Sequence, residues 1–73
     1  MSNHEFCDTG ELQVYLENEG ILDDSLIFKG YKFTLDVTAP SSWVYVSEEN
    51  LMILDIKLLS NHQFLVNCYE SID

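Results

Sequence analysis

Two histidines and two cysteines are the residues of this 73-residue chain whose types best suit chemistry. His4 and Cys7 are separated by two residues and His62 and Cys68 by five, so together they offer four nitrogen or sulfur ligands for zinc. Structural zinc sites take a tight ligand pair from a turn on each half of the site. Here His4 falls in an N-terminal tail and His62 in a polar turn, so the spacing argues against a metal, and no cofactor is expected. Calcium fares no better, because Glu19 to Asp24 lacks ligands at alternating positions and a bidentate glutamate at the twelfth. Without a secretory leader, Cys7 and Cys68 are expected as free thiols rather than a disulfide, with Cys68 packed as a small strand residue.

Nucleophilic catalysis needs a serine or cysteine beside a base that a third group orients. The chain has no Gly-x-Ser-x-Gly elbow, and its three glycines are too few for a phosphate-cradling loop. Glu48 with Glu49 and Asp23 with Asp24 are paired carboxylates, but adjacent residues project apart and so cannot share a proton. They read as solvated turn charges, and no catalytic residue is expected.

What remains is electrostatic. Thirteen acidic residues face three lysines and no arginine, a formal net charge of -10. Nucleic-acid binding needs cations to displace counterions from phosphates, so direct contact with DNA or RNA is excluded, as is an anionic membrane surface. The favoured partner is a basic protein. Seven of the acids, Glu5, Asp8, Glu11, Glu17, Glu19, Asp23 and Asp24, lie in the first 25 residues, which hold no lysine. The rest of the chain is apolar and nearly neutral.

The elements that must present these charges follow from periodicity and end signals. A chain of this length buries only about 60% of its unfolded surface, so residues 1–73 form a single domain. No apolar run reaches the ~20 residues of a membrane span, and Met1 to Cys7 lacks the features of a signal peptide. The expected compartment is the cytoplasm, that of the host if the gene is carried by a phage. Between Asp8 and Gly20, Leu12, Val14 and Leu16 alternate like a strand while Leu12, Tyr15 and Leu16 make a helical stripe. End signals favour the helix. Asp8 suits the N-cap with Glu11 completing a capping box, Cys7 and Leu12 could form a staple, and Gly20 followed by Ile21 suits a Schellman ending.

From Leu26 the pattern is that of strands: Ile27, Tyr31, Phe33, Leu35 and Val37 on one side of a long strand, with Gly30 as a bulge or turn in it. Pro40 lies in a loop. Trp43 to Val46 is a short strand, Leu51 to Leu59 the most apolar one, and Phe64 to Tyr69 the last. The expected fold is therefore α+β, one N-terminal helix packed on a three- to four-stranded antiparallel meander; if residues 9–19 are a strand, it is all-β. Met52, Leu54, Ile56 and Leu58 face the helix, joined by Phe64, Val66 and Cys68 or by Leu65 and Tyr69, depending on register. Leu51, Ile53 and Leu59 face the other way, with either Trp43 and Tyr45 or Val44 and Val46. A short helix cannot cover both faces, so a residual apolar patch is expected unless the N-terminal tail and Pro40 loop fold over it. A homodimer is one way to cover it.

The expected function is that of a non-enzymatic inhibitor that docks an acidic surface on a basic nucleic-acid-binding protein and blocks its DNA or RNA site. Glu11, Glu17, Glu19, Asp23 and Asp24 are the expected docking carboxylates, and Tyr15, Trp43 and Tyr45 the aromatic anchors if exposed. Phage and mobile-element counter-defence inhibitors, anti-restriction and anti-CRISPR proteins among them, share this size and charge, although no motif of any family carries the likeness. An immunity protein or antitoxin against a basic nuclease, and a structural or homodimerising subunit, fit the same composition.

Overall fold

The structure, a computed structural model, describes residues 5–20, 24–60 and 63–71. Along the chain run β1 (Glu5–Phe6), α1 (Thr9–Glu19), β2 (Ser25–Phe28), β3 (Tyr31–Ala39), β4 (Ser42–Ser47), β5 (Met52–Ser60) and β6 (Gln63–Glu70). The six strands form one sheet in sequential order, antiparallel throughout except that β1 pairs parallel with β2. The sheet curls into a half-barrel, so the fold is largely all-β with one short helix rather than a helix on a meander of three or four strands. Parallel strands need a crossover, and α1 supplies it between β1 and β2. The α+β expectation failed at β1, since a two-residue strand has no periodicity to read.

The expected long strand from Leu26 is in fact a hairpin. Lys29 and Gly30 have φ of 54° and 83°, the positive values that both central residues of a type I′ turn require, and Phe28 pairs with Tyr31 across them. The turn sets the phase. Leu26 and Phe28 point inward in place of Ile27, while Phe33 remains inside as expected. A bulge between Leu35 and Val37 then turns Val37 outward, where it is 52% exposed.

Register settles the alternatives that period-two reading left open. Leu54 lies opposite Cys68, Ile56 opposite Val66 and Leu58 opposite Phe64, so Leu65 and Tyr69 face outward. Trp43 and Tyr45 pair with Ile56 and Leu54 on the concave side, leaving Val44 and Val46 outside. The core gathers Leu26, Phe28, Phe33, Tyr45, Leu54 and Ile56 with Phe6, Leu12 and Leu16.

Leu12 and Leu16 carry the helix into this core, and α1 packs on both β6 and β1, the two edges of the sheet. The helix therefore covers the seam that strand pairing leaves open. Its ends follow the sequence signals. Asp8 Oδ1 accepts from the Glu11 N–H at 2.8 Å, and Glu11 Oε1 accepts from the Cys7 N–H at 2.8 Å. Gly20, with φ of 95°, ends the helix and donates its N–H to the Leu16 carbonyl. Cys7 is exposed and forms no staple; Phe6 takes that place, its ring edge-on to Tyr15 at 5.4 Å. The expected Leu16–Ile21 contact lies outside the described residues.

One buried hydroxyl organises the far turn. Ser47 is 4% exposed, and its Oγ accepts from the N–H groups of Leu51 and Met52 at 3.0 and 3.1 Å, while Asn50 adopts a left-handed φ of 59°. Replacing Ser47 with alanine leaves two backbone donors without their acceptor. Urea denaturation of Ser47→Ala is expected to show a loss of about 1–3 kcal/mol.

Candidate functional site

The β1–α1–β2 unit holds the acidic third of the chain. Glu5, Asp8, Glu11, Glu17, Glu19 and Asp24 are all exposed, whereas Asp23 lies outside the described residues. Two of the six are engaged in capping: Asp8 and Glu11 bond backbone N–H groups at the start of α1. Glu17 Oε2 accepts a long bond of 3.4 Å from Gln13 Nε2. No cation meets any of them in an ion pair among the described residues.

The lysines are occupied elsewhere. Lys32 Nζ lies 3.8 Å from Glu48 Oε2, Lys57 Nζ 3.9 Å from Asp55 Oδ2, and Lys29 stands over the Phe28 ring at 5.6 Å. Lys29 also opposes the effect of burial at Cys68, which pushes that thiol above its ordinary value. Cys7 and Cys68 are both free thiols. Because α1 runs back from the end of β1 to the start of β2, its C-terminus and Asp24 lie at the end of the sheet away from the Lys29–Gly30 hairpin. Four Cα–Cα steps lead from Gly20 to Asp24, a span of at most about 14 Å. Glu17, Glu19 and Asp24 therefore share the end of the molecule opposite that hairpin, and Lys57, the lysine on that half of the sheet, is engaged by Asp55.

Helical spacing denies them a single-file ridge. At about 100° per residue, Glu11 and Glu17 project roughly 120° apart. Between them sits Val14, 57% exposed, on the outward side of the helix. Glu11 thus frames this face at the N-terminal end rather than joining the group at the other. Near Glu17 and Glu19 a depression of about 320 Å³ is lined by Leu16, Glu17, Asn18, Glu19, Gly20 and Phe64. Its lining is apolar at Leu16 and Phe64 and acidic at the glutamates, beside the negative end of the helix dipole. No basic residue occupies the last turn of α1. A lysine or arginine side chain suits such a place, its aliphatic stem against the apolar wall and its charge among the carboxylates.

The aromatic anchors fare differently. Tyr45 is fully buried and cannot reach a partner, because its strand phase turns it into the centre of the core. Trp43 is half-buried, tilted against Phe64 at 6.4 Å, and Tyr15 is half-buried against Phe6. Sequence reasoning placed Val14 only in a strand-like alternation with Leu12 and Leu16, since its outward place on the helix shows only once the buried side is known.

His4 and His62 lie outside the described residues, and among the described ones no three His, Cys, Asp or Glu side chains gather to hold a metal. No helix among them is long and apolar enough to cross a membrane. The chain matches no protein-family model, and neither a curated protein nor a solved structure shows a significant match to it.

Proposed function

We propose that this chain is a non-enzymatic binding protein that docks the acidic end of its β1–α1–β2 unit on a basic nucleic-acid-binding protein and obstructs the DNA or RNA site. The observation that carries this reading is charge segregation. Exposed Glu17, Glu19 and Asp24 have no cationic partner among the described residues, while the lysines engage Glu48, Asp55 and the Phe28 ring. Carboxylates left unneutralised at a helix C-terminus oppose the helix dipole and so work against folding. A partner's cations relieve that repulsion on binding. DNA carries one charge per roughly 1.7 Å of duplex axis, so a groove lined for phosphates presents lysines and arginines to such a surface.

Affinity capture from cell lysate, with nucleic acid as competitor, tests the proposal. The expected result is a basic protein that is retained at about 50 mM salt, weakened steeply by about 200 mM, and displaced by added DNA or RNA. Retention of a partner that neither salt nor nucleic acid displaces would sink the reading.

A further inference from the structure

Among the described residues nothing covers the convex face of the sheet, on the side away from α1; the N-terminal tail, the other expected cover, lies outside the described residues. Residues opposite one another on paired strands share a face, which puts Val46, Ile53 and Tyr69 in one row and Val37, Val44, Asp55 and Asn67 in the next. Lys57 and Leu65 follow in a third. Val37, Tyr69 and Leu65 are 52%, 48% and 43% exposed. An apolar patch thus extends across four strands, and the exposed Pro40 turn does not cover it.

We infer that this face joins two copies of the chain, sheet against sheet, with Asp55 of each copy meeting Lys57 of the other. Charge selects the occupant. Lys57 pairs with Asp55 on this face and Lys32 with Glu48 beside it, whereas residues 5–20 carry five acids and no base. Two chains of net charge -10 repel each other everywhere except across a neutral apolar surface, and contact here turns both acidic ends outward.

Reciprocity supplies the second argument. A two-fold contact brings residue i of one chain to j of its copy and j to i. Asp55 and Lys57 stand two positions apart on one strand and therefore on one face, the arrangement that such a contact can pair twice. Within the chain Lys57 Nζ comes only within 3.9 Å of Asp55 Oδ2, a loose pair that the lysine of a second copy can replace. Area sets the strength. Four strands about 4.8 Å apart and about eight residues long give a footprint on the order of 500 Å². Curvature confines contact to the central rows, so the interface falls below the ~800 Å² per partner of a standard complex and the dimer is weak.

Sedimentation equilibrium between about 10 μM and about 1 mM reads this directly. The mass is expected to climb from 8.4 kDa toward twice that value across the range. Leu65→Lys with Tyr69→Lys, both at exposed positions, is expected to remain monomeric while circular dichroism shows an unchanged fold. Asp55→Lys weakens the dimer at least tenfold, and adding Lys57→Asp restores it. Should Asp55→Lys fail to fold, Lys57→Glu alone is expected to give the same weakening. A wild-type chain that stays monomeric at 1 mM overturns the inference, as does a double exchange that restores nothing. Loss of a captured basic protein in Leu65→Lys/Tyr69→Lys, with no dimer in the wild type, would assign the face to that protein instead. Reversing the helix carboxylates tests the function proposed above and is expected to leave the dimer intact.

Discussion

Leu16→Ala is expected to lower the stability of this chain by about 2–5 kcal/mol, the range for truncating a buried leucine without collapse of the space it leaves. A 73-residue domain has roughly 4–11 kcal/mol in total, so this one change removes a large fraction. Leu16 is 1% exposed and stands on the helix that touches both edge strands. With no strand pairing between β1 and β6, the apolar contacts of α1 are what hold the seam of the half-barrel shut. Thermal unfolding followed by circular dichroism gives the measurement, with Val14→Ala as control. Val14 is 57% exposed and alanine is the better helix former, so that variant is expected to be neutral or slightly more stable. Equal effects at the two positions would show that α1 does not close the core.

Reversing Glu17, Glu19 and Asp24 to lysine is expected to weaken the captured basic partner roughly 100-fold or more, mainly through slower association. The same number of charges matters less than their place. Glu48, Glu49 and Glu70 belong to the other end of the sheet, where Lys32 already pairs with Glu48. Their reversal is expected to change affinity severalfold at most, as rim charges do. Stability moves in the opposite sense to binding, since Glu17→Lys and Glu19→Lys replace anions with cations at the negative end of α1 and are expected to raise the melting temperature. A variant that is more stable but cannot bind separates a functional role for these carboxylates from a structural one. Unchanged affinity after the three reversals would remove the acidic end from the binding surface.

Much of the candidate site was legible in the chain itself because charge does not depend on folding. The lysine-free run from Glu5 to Asp24 is a property of composition, and so is the absence of arginine. Helix ends were equally readable. Asp8, Glu11 and Gly20 act through neighbours three or four residues away, and such contacts form wherever the local conformation permits. Tyr45 shows where that legibility stops. Its alternation with Val44 and Val46 admits two faces with equal ease, and the choice came from Leu54 opposite it on β5.

Composition and local sequence by themselves determined the acidic third of the molecule, the helix with its caps, and the period-two segments that became strands. Tertiary structure decided the rest: the parallel seat of β1, the bulge that exposes Val37, and the burial of Tyr45. The physical reason is range. Charge, capping and periodicity act between residues close in the chain, whereas strand phase is fixed by partners far along it, and a shift of one residue exchanges the inside of a sheet for the outside.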